Sequence, residues 1–310
     1  MRSISLCLSV ATALLAGCGV LPLSSSKGQD DMQPPIGATS TATLPLIKSG
    51  DLLYVSGVGH SVHTNIYAYP KPRLVSRLGA TGFGLCSDAA GDVFLSGDYG
   101  TAEYAHGGAT QLAFIGAPIG NAYSCSVDPV TGKLAIIVIS ETKSEVTIYK
   151  PESGHQWHLG SAFSYKEPQW ACSYDSTGDL FVGGFAGPSK LTLIELPKGA
   201  SKFEKITLDT DVPPQGDVQW DGTYLAIGEY DNATIHRFEF QGTKGTQVGT
   251  VGLSGAGYIR QFWIQDGVVI GPQLLANRIG FWSYPRGGAP LKIIRDTIGG
   301  SGVTVSLAPH

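Results

Sequence analysis

The chain has 310 residues, a net charge of −4 and an apolar fraction of 42%. This length allows one large domain or two ordinary ones, and the charge provides no basic footprint for nucleic acid. Glycine accounts for 42 residues, about twice the usual ~7%, and charged residues make up 15% against a typical ~25%. Many turns and little exposed helix are therefore expected, which favours an all-β protein.

Residues 1–17 have the organisation of an export signal. Arg2 supplies a positive start, and the apolar stretch that runs to Ala16 is too short for a stable membrane span. The sequence Leu-Ala-Gly-Cys at 15–18 resembles the lipobox of bacterial lipoproteins. That resemblance implies acylation of the Cys18 thiol with palmitate-type chains and cleavage that leaves Cys18 as the first residue. The alternative is an ordinary secretory signal with a chance cysteine.

Residues 18–45 are predicted to form a flexible tether, because they are rich in Ser, Thr, Pro and Gly without a period. A random coil of this length reaches on the order of 30 Å. Several acyl chains together make a durable anchor, so the membrane is a predicted partner. Residue 19 is Gly rather than Asp. By resemblance to lipoprotein sorting, this places the protein in the cell envelope, at the outer membrane of a cell that has one.

A turn motif recurs along the rest of the chain. GLCSDAAGDVFLSG at 84–97 returns as SCSVDPVTGKLAII at 124–137 and as ACSYDSTGDLFVGG at 171–184. At intervals of 40, 47, 46 and 45 residues, the aspartate of the turn falls at Asp88, Asp128, Asp175, Asp221 and Asp266. A period in this range is typical of propellers, solenoids and arrays.

The content of each repeat favours a propeller blade. Each has an apolar strand, a turn with Gly, a second apolar strand, and a third strand near an aromatic residue, as at 102–105, 146–149 and 235–238. A fourth strand often follows, as at 111–115 and 205–208. Four strands in roughly 40–45 residues correspond to one blade, whereas helical repeats would show a 3.6-residue period that is missing here.

The two ends of the chain are predicted to share one blade. Residues 53–57 match 93–97, the second strand of a repeat, yet nothing before them resembles a first strand. Residues 302–306 align with the first strand at 84–88, so the C-terminal strand is expected to complete the first blade and close the ring. Residues 46–310 are therefore predicted to form an all-β, six-bladed β-propeller with four-stranded blades.

The repeat resembles a known group of proteins. Its pattern consists of a Gly, a Cys or Ala, the turn Asp, a second Gly and an apolar-aromatic-Val strand, with Asn277-Arg278-Ile279 in the strand that follows. This pattern looks like NHL-type repeats and gluconolactonase-like six-bladed propellers. The resemblance covers residues 48–308 and rests on structural positions, so it implies the fold more than a function. In gluconolactonase-like enzymes, carboxylate and Asn oxygens around the axis bind a divalent cation.

The turn aspartates Asp88, Asp128 and Asp175 are expected to be structural. An Asp that opens a turn ending in Gly bonds to its own backbone, and the Gly takes the left-handed conformation.

Cys86, Cys125 and Cys172 lie on predicted first strands, with Cys86 pointing to the opposite blade face from the other two. Cys86 and Cys125 could face each other across neighbouring blades, and an oxidising compartment would allow a disulfide. Neighbouring blades often exceed the ~7 Å Cα separation that a disulfide tolerates. Three buried free thiols are therefore the favoured interpretation. No CxxC or HxxxH spacing indicates zinc.

An aromatic mouth is predicted on one face of the propeller. Phe83, Tyr123 and Trp170 each precede a turn Asp by five residues, and Tyr258 enters the last blade in a similar place. Loops into first strands emerge on the same face as the loops between second and third strands. The second set of loops carries His60, His63, Asp98, Glu141, Glu229, Asp231 and Asn277. Such a concave mouth is a default binding site, although aromatics wedged between blades and solvated acids explain the same pattern.

No catalytic constellation is indicated. Glu229, Asp231, Asn232 and Asn277 are conceivable oxygen ligands of a hard cation, but the ligand motif of the gluconolactonase-like family does not map onto this chain. No Gly-x-Ser-x-Gly elbow or nucleotide-binding loop occurs. No catalytic residue, metal ligand or cofactor is therefore assigned.

The favoured function is an exported, membrane-tethered scaffold that binds an unknown protein or glycan through its loop face. One alternative is a metal-dependent hydrolase or lyase of the gluconolactonase-like type. The other is a structural envelope protein without a small ligand.

Overall fold

The described part of the chain consists of strands, turns and loops, with no helix among its residues. The computed structural model describes residues 50–57, 63–185, 190–214, 216–296 and 298–309. The predicted signal sequence, Cys18, the tether and His60 lie outside these ranges. Within them, no helix has the length and apolar character needed to span a bilayer.

Within the described ranges, twenty-four strands form sets of four, which we number as sheets in chain order. Sheet 1 contains β24 (Gly300–Ser306), β1 (Leu52–Gly57), β2 (Thr64–Ala68) and β3 (Leu74–Leu78). Sheet 2 contains β4 (Gly84–Ser87), β5 (Val93–Gly97), β6 (Gly100–Tyr104) and β7 (Gln111–Gly116). Sheet 3 contains β8 (Asn121–Val127), β9 (Leu134–Ile139), β10 (Ser144–Glu152) and β11 (Gln156–Tyr165). Sheet 4 contains β12 (Gln169–Tyr174), β13 (Leu180–Phe185), β14 (Leu191–Leu196) and β15 (Glu204–Leu208). Sheet 5 contains β16 (Val218–Trp220), β17 (Leu225–Gly228), β18 (Thr234–Gln241) and β19 (Lys244–Gly252). Sheet 6 contains β20 (Trp263–Gln265), β21 (Val268–Gln273), β22 (Arg278–Ser283) and β23 (Lys292–Arg295).

Strands within each set pair antiparallel, in chain order except for β24 in sheet 1, as the hairpin repeat predicts. Sheets 4 and 5 are also joined edge to edge, because β15 pairs with β19 in parallel over two residues. The second strands are the most buried and the outer strands are mostly exposed: β9 is almost fully buried, whereas most residues of β11 are exposed. We call β24, β4, β8, β12, β16 and β20 the inner strands. This architecture is consistent with a β-propeller.

The C-terminal strand pairs with the N-terminal strand, which confirms the predicted closure. β24 runs antiparallel to β1, with Leu52 opposite Ser306 and Ser56 opposite Gly302. Every residue of β24 is buried. Sheet 1 is therefore completed by residues from both ends of the folded region, and β1 has no free edge on that side.

The apolar core is divided into clusters that lie between consecutive sheets. Leu52 of sheet 1 packs with Leu85 of sheet 2, for example, and Ala171 of sheet 4 with Val218 of sheet 5. Another cluster joins Ile270 of sheet 6 back to sheet 1. Because each sheet buries both faces against its neighbours, the second strands are continuous apolar runs rather than alternating ones.

The turn aspartates are structural, as predicted. The Asp88 carboxylate accepts the Asp92 backbone N–H at 2.8 Å, and the Asp175 carboxylate accepts that of Gly178 at 2.8 Å. Asp128 accepts equivalent bonds in its own turn. Gly178 has φ +98°, the left-handed conformation that the turn requires.

The prediction of three free thiols is wrong for two of them. Cys86 and Cys125 form a disulfide between β4 and β8, with Cα atoms 5.7 Å apart, and only Cys172 is a free, buried thiol among the described cysteines. The inner strands approach closely because Gly84 has no side chain. A Cβ atom there would lie 2.5 Å from the Tyr123 carbonyl oxygen. This local approach brings the cysteines within the range that a disulfide tolerates.

Candidate functional site

Three of the predicted mouth aromatics meet where the inner strands begin. The Phe83 and Tyr123 rings stack with centroids 4.9 Å apart, and the Tyr123 centroid lies 5.2 Å from that of Trp170. All three side chains are half-buried. Phe83 directly precedes β4, Tyr123 lies in β8 and Trp170 lies in β12, so the ring contacts join three neighbouring sheets at one point.

Two β-bulges direct these rings. The register of β8 against β9 skips Tyr123, and the register of β12 against β13 skips Trp170. A bulged residue leaves the hydrogen-bond ladder and its side chain is re-aimed, a feature that is frequent next to functional sites. The two aromatics therefore turn away from the regular alternation of their strands.

The Arg260 guanidinium lies among these rings. Its Cζ atom is 5.2 Å from the Phe83 centroid and 5.0 Å from those of Tyr123 and Trp170, which are cation–π distances. Burial lowers the pKa of Arg260, although a guanidinium remains charged in proteins. Among the described residues, no acceptor forms a hydrogen bond with it and no carboxylate lies within 4.0 Å. We call Phe83, Tyr123, Trp170 and Arg260 the arginine cage.

Asp217 and Gln261 lie beside the cage and line the same small cavity. The Gln261 side chain accepts the backbone N–H of Leu85 at 2.9 Å and that of Val303 at 2.8 Å, so it ties sheet 6 to sheets 2 and 1. Asp217 is buried, and its carboxylate accepts the Phe262 N–H at 3.3 Å. These contacts hold the inner strands together directly next to the cage.

Asp217 gives the fold a testable pH dependence. Burial raises the pKa of its carboxyl from 3.8 to about 8, against backbone hydrogen bonds that lower it. The folded state therefore binds a proton that the unfolded chain releases, so the free energy of unfolding falls as the pH rises from about 4 to about 8. We expect Asp217→Asn, which cannot ionise, to lose this part of the decrease. Urea denaturation of both proteins from about pH 4 to about pH 8 measures the free energy of unfolding. The assignment would be contradicted if this free energy fell as steeply with pH in the variant as in the wild type.

Tyr258, the fourth predicted aromatic, pairs with a residue that the sequence did not single out. Its ring centroid is 5.2 Å from that of Tyr230, and the Ile259 N–H donates to the Tyr230 carbonyl at 3.3 Å. Tyr258 is 41% exposed. Since Ile259 directly precedes Arg260, the tyrosine pair is connected to the cage by the same loop.

The predicted polar residues do not form one cluster. Glu229 is engaged by its own loop and strand, because its carboxylate accepts from Asn232 at 2.7 Å and contacts the His236 ring at 2.6 Å. The remaining members of the set that the structure describes are half-buried His63 and exposed Asp98, Glu141, Asp231 and Asn277.

Two cavities of similar volume lie at different places in the fold. One of about 730 Å³ is lined by Tyr123 and Glu141 and adjoins the predicted mouth. The other, of about 710 Å³, is lined by the inner strands and by turns that follow them, including Ser176. Because inner strands begin at the cage and end at these turns, this axial cavity opens at the opposite end, where no site was predicted.

A separate group of ionisable side chains joins sheets 2 and 3. Glu103 is buried, and its carboxylate contacts His155 Nδ1 at 2.7 Å and accepts the Trp157 indole N–H at 2.7 Å. Burial, with the charges of Asp88 and Glu103, raises the pKa of Asp92 to about 6. Of the described residues, only Asp92, Glu103 and His155 form a group of three with the spacing to hold a metal ion.

No family model and no curated protein matches this chain. Solved structures do. A nidogen/laminin complex has a chain that is similar at TM-score 0.66 and 11% identity, covering 84% of this chain and 100% of that one. A Bacteroides caccae protein of unknown function is similar at TM-score 0.60 and 13% identity, over 83% and 99%. A Bacteroides fragilis protein proposed to be a 6-phosphogluconolactonase is similar at TM-score 0.58 and 10% identity, over 84% and 99%. These neighbours are propeller-like proteins, and the likeness supports the β-propeller fold alone.

Arg260 is the main residue of the site that sequence reasoning missed. Counting five residues back from Asp266 gives Gln261, yet in space Arg260 joins the aromatics that stand five before their own turns. The reason is that Arg260 lies in a loop before β20, where no strand register fixes its position. The one available signal was that Arg260 lies one residue before position 261, which corresponds to the aromatic position of the other repeats.

Proposed function

We propose that this protein is an exported, membrane-tethered β-propeller that binds a protein or glycan partner through the face that carries the arginine cage. The observation that carries the proposal is the convergence of Phe83, Tyr123 and Trp170, from three sheets, around one arginine. Aromatic side chains and arginine are the residue types that dominate recognition surfaces.

The surface around the cage supports recognition rather than a buried, purely structural cluster. Tyr258 is 41% exposed, and Tyr99, in the turn between β5 and β6, is 79% exposed. A tyrosine presents a large ring and a hydroxyl at low cost in conformational entropy. The adjoining cavity of about 730 Å³ adds a concave surface of the size that ligands occupy.

The proposal includes six blades around one axis and an oxidising location. The clusters between consecutive sheets, with the one that returns from sheet 6 to sheet 1, support six blades in a closed ring. The disulfide between Cys86 and Cys125 supports export, because disulfides persist outside the reducing cytosol. Anchoring through Cys18, at the outer membrane where the cell has one, follows from the lipobox resemblance.

A metal-dependent hydrolase has less support. Glu229 is already engaged by His236 and Asn232. The group with metal-binding spacing lies in the β4–β5 turn, on β6 and in the β10–β11 turn rather than among the predicted mouth residues. A test for metal binding by melting temperature should therefore include the variant Glu103→Gln beside the wild type. This control distinguishes cation binding at the group of Asp92, Glu103 and His155 from binding at the mouth.

Photocrosslinking in cells that make the full chain tests the proposed function. A photoreactive amino acid replaces Tyr258 or Tyr99 on the cage face. In the control proteins it replaces Leu159 or Leu291, which are 56% and 60% exposed and lie outside this face. We expect adducts of defined mass from positions 258 and 99 alone. Equal labelling from the control positions, or none from the cage face, would remove the support for a binding face.

A further inference from the structure

The Arg260 guanidinium has an uncompensated charge and unused hydrogen-bond donors. It carries five N–H donors. Among the described residues none of these donors makes a hydrogen bond, and the cation is held only by the faces of three rings. The other two half-buried arginines among the described residues are paired: Arg237 donates to Asp221 at 3.0 Å, and Arg278 to Gln273 at 2.9 Å.

No neighbouring residue neutralises this cation. Asp217 lines the same small cavity, but it lies beyond ion-pair distance. Burial raises the pKa of Asp217 to about 8, so near neutral pH its carboxyl is largely protonated. A partly buried cation without an anion pays a desolvation cost that an incoming anion would offset. The rings also pre-organise the guanidinium, because they restrict its rotation before any ligand arrives.

The charge around the cage limits what the anion can be. The loops on this face carry the acidic residues Asp98, Glu141, Glu229 and Asp231. Lys143 also lies on this face, but it is paired with Glu145 at 2.6 Å. The acidic side chains of these loops disfavour a phosphate dianion or a polyanionic peptide more than a ligand with one negative charge. The planar guanidinium matches a carboxylate through two parallel N–H···O bonds. The exposed Asp231 carboxylate, which directly follows Tyr230, is available to accept hydrogen bonds from hydroxyl groups.

We infer that the arginine cage binds the carboxylate of a singly charged acidic sugar, such as a uronate residue of an otherwise neutral glycan. Arg260 receives the carboxylate, the exposed Tyr258 ring lies against the sugar, and the Asp231 carboxylate accepts from its hydroxyls. This inference rests on the proposed function and specifies its ligand class. It also explains why the cage leaves the donors of Arg260 unpaired.

Calorimetric titration of the purified, disulfide-intact protein tests the inference with defined probes. D-glucuronate is compared with D-glucose, its neutral counterpart, and with acetate, inorganic phosphate and tetraglutamate. We expect glucuronate to bind at least tenfold more tightly than each of the others. Arg260→Gln should abolish the preference for glucuronate over glucose. Arg260→Lys, which keeps the charge but loses the planar fork, should retain part of it.

A matched control and a folding check accompany these variants. Arg278→Gln removes an arginine whose donors are already used by Gln273 and Gly255, so it should leave the preference unchanged. Melting curves show whether each variant is folded. Arg260→Lys serves if Arg260→Gln does not fold.

The inference is overturned if wild-type protein binds glucuronate no better than glucose, or if Arg260→Gln keeps the preference. Tighter, Arg260-dependent binding of phosphate or tetraglutamate would assign the cage to another class of ligand and equally overturn it. Crosslinks from position 258 that persist after such a result would leave the proposed function standing. If crosslinks from position 258 are absent as well, both this inference and the proposed function lose their support.

Discussion

Deletion of residues 300–310 is expected to abolish cooperative folding of the whole propeller. β24 pairs with β1 over six positions, and all its residues are buried. Val303 and Val305 belong to the cluster between sheets 6 and 1, and Ser87 donates to the Val305 carbonyl at 2.9 Å. Loss of this strand exposes the apolar surfaces that it covers in sheets 1, 2 and 6. We expect the free energy that is lost to match or exceed the ~5–15 kcal/mol that stabilises a typical domain.

Circular dichroism on heating measures the effect of this deletion. A protein that lacks residues 309–310 is the matched control, because it keeps β24 and the bond from the Ala308 N–H to Asp51. We expect the control to melt as the full chain does and the larger deletion to show no cooperative transition. A larger deletion that melts at the wild-type temperature would mean that β24 does not close the ring.

Loss of the disulfide is expected to have the second largest effect. Cys86 and Cys125 are 39 residues apart, and a cross-link of that span stabilises by about 4 kcal/mol through the entropy of the unfolded chain. The double variant Cys86→Ser, Cys125→Ser should therefore lose stability of this order, which corresponds to roughly 10 °C in melting temperature.

Reduction of the wild-type protein provides an independent measure of the same bond. A reductant should lower the wild-type melting temperature toward that of the double variant and leave the variant itself unchanged. Cys172→Ala, which removes the buried free thiol, should keep the sensitivity to reductant. A reductant effect of equal size on the double variant would show that the bond contributes nothing.

The sequence was sufficient to predict most of the fold because the repeat states it several times. A turn Asp follows every inner strand except β24, and residues 102–105, 146–149 and 235–238 fall within or overlap β6, β10 and β18. Closure was predictable because residues 53–57 lacked a first strand and residues 302–306 supplied one. The approach of Phe83, Tyr123 and Trp170 followed from their shared position relative to the turn.

The disulfide, the position of Arg260 and the environment of Glu229 depend on distances between strands and sheets. The alternation of side chains along a strand does not encode these distances. The disulfide requires the close approach that Gly84 permits. Arg260 reaches the cage from a loop without strand register. Glu229 has the composition of a metal ligand, yet His236 on the adjacent strand occupies its carboxylate.

The most direct test of recognition at the cage face compares the two ends of the propeller axis in cells. A photoreactive amino acid at Tyr258 reports on the cage face, and one at exposed Ser176 reports on the axial cavity of about 710 Å³ at the opposite end. We expect a defined adduct from position 258, lost on Arg260→Gln, and none from position 176. An adduct from position 176 without one from position 258 would contradict this expectation and place recognition at the other end.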